Sequence, residues 1–496
     1  MFESKFLMFR IFYPINKDRI NDSFFFGVIL PGVQRAVDGQ DSSHSDWIMK
    51  KAISNWSNYP IREAEIISLR GDKDIERLLK NGGVIARGLG RCYGDASLAE
   101  NVISTIRYNS IISFDPATGI IECQSGVSLK DLLDIFVPRG WFLPVTPGTK
   151  FITVGGAVAS DVHGKNHHAE GAFSNHVLSL EVYTPAFGPL KCSRGENEDL
   201  FRATCGGMGL TGVILKVKFK LKKIESAYIR QRQIKASHLK EVLDLFESHK
   251  SYTYSMAWID CLKKGLHFGR SILILGEHAV PADLKKIKAE KYLVHPGKVK
   301  LSMPFNLPSV VLNPVSIKAF NALYYAKNLK KNIENIVPYE GFFYPLDAIL
   351  NWNRLYGKRG FLQYQFVIPL EHGRKGLSEI LQKINEKGMG SFLAVLKQFG
   401  KQESLISFPM EGYTLALDFP LRKGLFEFLD ELDKIVLDYG GRLYLSKDSR
   451  MKPEIFLKGY PKAEEFLQII KKYNPEFSVK SDLSDRLSIS TNHKKG

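Results

Sequence analysis

Leu215, Val217, Phe219 and Leu221 alternate with Lys216, Lys218 and Lys220, so a strand here buries one face and leaves the other wet. Ile111 to Phe114 and Ile120 to Cys123 flank Asp115-Pro116-Ala117-Thr118-Gly119, whose turn-forming residues predict a hairpin. Gly83 to Arg87 reads as a short buried strand running into a glycine loop. After Ser128 the period changes. Leu129, Leu132, Leu133 and Phe136 recur at helical spacing, which predicts a capped helix stopping at Pro138 and Gly140. Leu425, Phe428, Leu429 and Leu432 form another helical stripe that ends at Gly440-Gly441. A strand over Arg442 to Leu445 and a helix carrying Phe466, Ile469, Ile470 and Tyr473 follow. The absence of regular βαβ alternation predicts an α+β fold over a doubly wound sheet. Residues 1 to about 54 mix an aromatic-rich start with the polar run Asp38 to Asp46 and show no sustained period. They read as a loosely held extension, or as sequence preceding a start at Met49.

Length and composition then bound the organisation. At 496 residues and 44% hydrophobic, the chain fills more than one core, so a two-lobed protein is expected. The five cysteines, Cys92, Cys123, Cys192, Cys205 and Cys261, contain no CxxC pair, which argues against a disulfide framework or a zinc site. A reducing cytoplasm suits them. The longest apolar run, Phe24 to Leu30, is far too short to span a bilayer, and Asn16 to Arg19 interrupt any secretory signal. A net charge of +17 favours anionic partners without choosing among them. Nucleic acid is disfavoured, because no recognition motif or basic array interleaved with stacking aromatics is present.

The chemistry concentrates where glycines cluster. Ala86 and Arg87 lead into Gly88, Leu89, Gly90, Arg91 and Cys92, and then Tyr93, Gly94, Asp95 and Ala96. Such a loop lets backbone N–H groups form a nest for pyrophosphate oxygens. Its G-x-G-x-x-x-G spacing, with no helical period after it, is not the dinucleotide fingerprint. Pro147-Gly148-Thr149 precedes Thr153, Val154, Gly155 and Gly156, where small residues leave room for a flat ring system. Ser160, Asp161, Val162 and His163 follow, with Lys165, His167 and His168 as donors at the rim. The histidine spacing, without Cys or Glu partners, excludes a zinc reading. Cys205-Gly-Gly-Met-Gly-Leu-Thr-Gly212 gives one more close backbone approach. Together these segments call for a large phosphorylated cofactor.

These runs resemble the FAD-binding oxidoreductases of the vanillyl-alcohol-oxidase type, with their PCMH-type FAD-binding domain. The later strings SMAWID (255–260), PLDAILNWNRLYG (345–357), GFLQYQFVIPLE (360–371) and GGRLYLSKDSR (440–450) narrow the resemblance. They are similar to the flavoprotein subunits of decaprenylphosphoryl-β-D-ribose 2′-epimerases, over roughly residues 60 to 490. The resemblance implies non-covalently bound FAD held in a two-lobed fold with an inserted substrate domain. Residues 1–55 would be the N-terminal extension, 56–225 and 441–496 the FAD-binding domain, and 226–440 the substrate-binding domain. It implies oxidation of the 2′-hydroxyl of a polyprenylphosphoryl ribose to a ketone. A separate short-chain NAD(P)H-dependent reductase would then complete epimerisation to arabinose for arabinan and cell-wall synthesis. An FAD-dependent oxidase of a free sugar or aldonolactone is the alternative.

Carried over residue by residue, the resemblance places flavin contacts at Arg87 to Ala96, Gly148, Thr153 to Gly156, Ser160 to His163, Ile214 and Tyr444. Ala86 is added to that group as the residue that leads into the loop. Substrate contacts are implied at Lys165, Trp258, Gln365, Lys397 and Lys447. Hydride removal needs a proton acceptor and fixed positive charge near the ring. Lys447 is the candidate for the cation or for a neutral base, since desolvation lowers a lysine pKa. His163 and Tyr93 are candidates for orienting hydroxyl or ring. Ala416 stands where mycobacterial members carry a cysteine, so inhibitors that trap that thiol are expected to fail. Met208 stands where a polar residue is common. Lys285, Lys286, Lys288, Lys291, Lys298 and Lys300, with Met303, Phe305 and Leu307, suit a rim that meets an anionic membrane surface. The expected location is cytoplasmic, peripheral at the inner face of the plasma membrane.

Overall fold

The computed structural model describes residues 48–79, 82–294, 301–308, 311–391 and 393–490. The polar run Asp38 to Asp46, the apolar run Phe24 to Leu30, Lys298 and Lys300 lie outside them.

Helices and strands mix as an α+β fold built on three larger sheets. A four-stranded sheet joins Ile48–Ser54, Ile61–Ser68, Asn101–Ser104 and Val84–Arg87 in that spatial order. Its first strand lies inside the stretch expected to be an extension, which corrects that expectation for Ile48–Ser54. The strand escaped the periodicity reading because it is an exposed edge. It is held by its antiparallel ladder and by the cross-strand pair Lys50–Glu65 at 2.9 Å, with little alternating burial to mark it.

A five-stranded antiparallel sheet follows, ordered Ile111–Asp115, Ile120–Gln124, Val213–Lys220, Val177–Thr184, Gly188–Ser193. The expected hairpin forms, closed by Asp115, which accepts from the Ala117 N–H at 2.9 Å, and by Gly119 at φ 74°. In Val213–Lys220 the apolar side chains are buried, while Lys216 faces Glu181 across the ladder at 3.0 Å. Ser128 caps the helix Leu129–Phe136 in a capping box with Asp131, and Leu129, Leu132, Leu133 and Phe136 are its buried face.

The remaining large sheet is antiparallel and eight-stranded, ordered Asn332–Pro338, Tyr228–Ala236, Ser271–His278, Tyr254–Ile259, Ala394–Phe399, Gly412–Pro420, Phe361–Pro369 and Arg442–Leu443. The helices Leu370–Lys387 and Leu425–Asp438 pack on it through Leu377, Ile380, Ile384, Phe428, Leu429 and Leu432. The last strand is shorter than the expected Arg442 to Leu445. It ends because Lys447 donates its N–H back to the Tyr444 carbonyl at 2.9 Å, turning the chain. The chain then returns to the four-stranded sheet, where Val479 bridges Val84 and Arg486 grips Asp95 at 2.8 Å. Among the described residues, no helix is long and apolar enough to cross a membrane.

Candidate active site

A cavity of about 340 Å³ lies between the glycine loop and one face of the eight-stranded sheet. The loop's own backbone builds one wall. Among the described residues, no backbone group accepts from the N–H groups of Leu89, Gly90, Arg91 or Cys92, which leaves a nest of donors. Thr153 caps the short helix Val154–Ala159 by accepting from the Gly156 N–H at 3.2 Å. A Cβ on Gly88 would sit 2.2 Å from that Thr153 hydroxyl, and one on Gly155 would meet Ser125 Cβ at 2.7 Å. Glycine is therefore dictated at both positions by close approach. Arg87 fastens the loop, donating to the Ser54 carbonyl at 2.8 Å and to Ser97 and Asn55. Arg91 lies over the Trp56 ring at 3.8 Å.

The opposite wall is made of side chains from adjacent strands in register. Trp258 pairs with Val395, Val395 with Ala416, and Ala416 with Gln365, so these residues share one row on one face. Gln363 pairs with Asp418 in the next row, and Thr414 with Lys397 on the other side. Of these, Gln363, Gln365, Val395, Lys397 and Ala416 line the cavity. The turn after Arg442–Leu443 brings in Tyr444 and Lys447. Tyr444 stacks on Phe408 at 4.5 Å and donates to the Ser160 carbonyl at 2.9 Å. Lys447 Nζ sits 3.7 Å above the Tyr93 ring centre. Gln365 is 3.0 Å from His163 Nε2, whose other ring nitrogen is buried without a partner among the described residues.

Burial dominates the electrostatics. It lowers Lys447 to about 7, opposed by the charge of Asp418 and by Cys92. Lys397 falls to about 7 through burial and then the repulsion of Lys165 and Lys447, and Lys165 falls to about 8 by burial. His163 is pushed well below the imidazole range by burial and by Lys397, so it is neutral. Burial, then Asp418, raises the Tyr93 phenol well above its ordinary value. The Asp418 carboxyl rises to about 6 by burial, against the hydrogen bond from Gln363 and the charge of Lys447.

Most of the expected cofactor residues line the cavity, including Ala86, Leu89, Gly148, Val162 and Ile214. Gly94, Asp95, Val154 and Asp161 do not. Gly94 is packed on the Asp448 backbone, Asp95 pairs with Arg486, and Asp161 accepts from Ser407 at 2.6 Å and the Ser174 N–H at 2.9 Å. Val154 is fully buried beneath the cradle. Lys165 also stands back, with Nζ donating to the Phe343 carbonyl at 3.2 Å, and Trp258 rests against Tyr324 at 4.8 Å. Met208 lines the cavity in the left-handed region at φ 55°, with its sulfur 3.5 Å from Ser446 Oγ. Sequence reasoning did not single out Gln363, Asp418, Trp56 or Trp352. The signal for the first pair was a polar side chain at alternate positions of otherwise apolar strands, QYQFV and TLALD.

The donor nest, the glycine cradle and the unpartnered buried Ser125 hydroxyl fit a ligand rich in acceptors with a flat ring. The FAD binding domain family matches residues 78–191, the span that contains this cradle. Over 456 residues the chain is 37% identical to decaprenylphosphoryl-beta-D-ribose oxidase of Mycolicibacterium smegmatis, covering 88% of this chain and 98% of that protein. The chain belongs to the decaprenylphosphoryl-beta-D-ribose oxidase family. It is an FAD-dependent oxidoreductase. An uncharacterised protein of Streptomyces coelicolor is 31% identical over 373 residues, 73% of this chain and all of that one. L-gulonolactone oxidase 3 of Arabidopsis thaliana is 27% identical over 175 residues, 34% of this chain. The family likeness thus runs through both walls of the cavity, whereas the lactone oxidase shares a minority of the chain.

Proposed function

We propose that this oxidase takes hydride from C2′ of a polyprenylphosphoryl ribose and the proton from its 2′-hydroxyl, leaving the 2′-ketone. The observation that carries the substrate class is the near end-to-end match to a relative named for decaprenylphosphoryl ribose. Held by the glycine loop and the Thr153 to Gly156 cradle, FAD would supply the acceptor for that hydride. Lys447, with a pKa of about 7, has a substantial neutral fraction at neutral pH and takes the hydroxyl proton. His163 and Tyr93 orient the hydroxyl, while Gln365 and Lys397 hold the other sugar oxygens. Lys165 and Trp258 turn toward the substrate when it is bound.

The lobes follow the sheets. Residues 56–225 and 441–496 form the FAD lobe, and 226–440 form the substrate lobe inserted between them. Support comes from the eight-stranded sheet, which takes all its strands from Tyr228 to Pro420 except Arg442–Leu443. Arg442–Leu443, just past the proposed return at 441, pairs with Phe361–Pro369 of that sheet. The ketone is released to a short-chain NAD(P)H-dependent reductase, which returns hydride to the other face. The enzyme meets its lipid substrate at the inner surface of the plasma membrane. Exposed Lys285, Lys286, Lys288 and Lys291 support that contact, as does Phe305 at 62% exposure; Met303 is buried and Leu307 half-buried. Sedimentation with anionic vesicles is expected to be strong at low salt and weak at high salt.

Anaerobic mixing with polyprenylphosphoryl ribose tests the proposal through bleaching of the flavin absorbance. Rapid bleaching is expected. Bleaching by a free sugar or an aldonolactone at equal rate would replace the lipid-linked substrate with a soluble one.

A further inference from the structure

Asp418 does not line the cavity, yet the groups that do are tied to it. It is fully buried in the strand Gly412–Pro420. Gln363 donates to its Oδ1 at 2.6 Å and the Tyr356 hydroxyl to its Oδ2 at 3.2 Å. Both donors are neutral, and the cation that acts on it is Lys447. Lys447 has Asp418 as its strongest countercharge, although the two are not in direct contact. What lies between them is ordered. Gln363 donates to Asp418 and also favours the ionised form of the Tyr93 phenol, and the Tyr93 ring carries Lys447 Nζ at 3.7 Å. A buried carboxylate without an adjacent cation is unfavourable unless its field stabilises something else.

We propose that Asp418 is a positioning residue that sets the proton occupancy of Lys447 through Gln363 and Tyr93. This assignment rests on the role proposed above for Lys447. The other charged or titratable groups around Lys447 are Cys92 and Tyr93 from the glycine loop, Lys397 from the neighbouring strand, and His163. Asp448, next in sequence, is engaged by Arg486 at 2.9 Å. Around Asp418 stand Tyr356, Tyr93 and Lys447, and Tyr93 also feels Arg91 and Asp347. Lys447 is pulled toward the neutral amine by burial, and toward the ammonium by Asp418 and then Cys92. Removing the carboxylate charge takes away the larger of the two influences that oppose burial.

The test follows Lys447 itself, in FAD-loaded protein without substrate. Acetic anhydride labelling, read by mass spectrometry across pH, gives the midpoint at which the amine becomes reactive. Asp418→Asn is expected to lower that midpoint by about one pH unit, with about tenfold faster labelling below both midpoints. Asp418→Glu, which keeps the charge, is expected to restore it. A purely structural role would lower the melting temperature of both variants and leave the midpoint in place, which overturns the proposal. Should Asp418→Asn not fold, the unaltered protein decides. Its labelling profile is expected to break near pH 6, where Asp418 takes up its proton, and a single transition without that break overturns the link. Failure of the ribose substrate to bleach the flavin, with the labelling shift intact, would instead remove the proposed reaction and keep the link.

Discussion

The two walls of the cavity are made on opposite principles. The glycine-loop wall offers backbone: N–H groups at Leu89 to Cys92 from which, among the described residues, no backbone group accepts, and glycines wherever a side chain would collide with Thr153 or Ser125. The sheet wall offers side chains, with Gln363, Gln365 and Lys397 projecting from strands whose register sets their spacing, and Lys447 from the turn beside them. A wall of backbone holds a ligand by shape and by dipoles that cannot titrate. A wall that carries the half-buried Lys397 and Lys447 changes its charge near neutrality, which suits it to handling a proton. Under the proposed function, that division means affinity for cofactor and reactivity toward substrate are separately breakable.

The sharpest break is Lys447→Ala. Loss of the general base proposed here costs on the order of 10²–10⁴ in rate, while the backbone wall is untouched. Stopped-flow absorbance is expected to show normal flavin content and reduction slowed to that extent. The pH dependence fixes the sign. Burial lowers Lys447 from 10.5 to about 7, so the neutral amine grows as pH rises through 7 and the reduction rate rises with it. A rate that falls through the same range would make Lys447 the cation instead of the base.

Next in size is the anchor that ties the glycine loop to the C-terminal helices. Arg486 spans Asp95 at 2.8 Å and Asp448 at 2.9 Å, both buried. Arg486→Ala leaves two buried carboxylates without their cation, at a cost of about 3 kcal/mol. Denaturant unfolding followed by fluorescence is expected to register that loss, along with weaker FAD retention. Gly88→Ala comes after it. The added methyl displaces the Thr153 hydroxyl from its cap, an overpacking cost of about 1–3 kcal/mol. FAD affinity is expected to drop about tenfold or more by titration of the stripped protein, with the reduction rate of the loaded fraction preserved.

The same contrast explains what the sequence made legible. The backbone wall comes from short contiguous windows, 86–96 and 153–163, so its glycines announce themselves in one reading frame. The helix at Leu129–Phe136 and the hairpin at Ile111–Gln124 were readable for the same reason: period, cap and turn are local. The sheet wall is assembled across strands. Gln365, Ala416, Val395 and Trp258 become neighbours only through register, which periodicity does not supply. Lys165, Trp258, Gln365, Lys397 and Lys447 came from resemblance, and Asp418 and Gln363 went unremarked because one acid or amide in an apolar strand reads as an exception. Ile48–Ser54 was missed because an exposed edge strand carries almost no burial pattern. Asp95 and Asp161 sit in the motif read for the cofactor, and their side chains pair with Arg486 and Ser407, hundreds of positions away.

The smallest effect tests whether the scaffold behind the backbone wall is separable from both functions. Ser128 caps the helix Leu129–Phe136, accepting from the Asp131 N–H at 3.1 Å while Asp131 reaches back to the Ser128 N–H. It also bridges Thr153, but it does not line the cavity. Ser128→Ala removes the side-chain cap and keeps the backbone bridge, so stability is expected to fall by about 1 kcal/mol. Flavin content and reduction rate are expected to match the unaltered protein, because neither the donor nest nor the lysines depend on that hydroxyl. Thermal unfolding and stopped-flow reduction on one preparation check both halves. A loss of FAD out of proportion to the stability change would mean that the cradle and the helix behind it behave as one unit, and the two-wall division would have to be redrawn to include that helix.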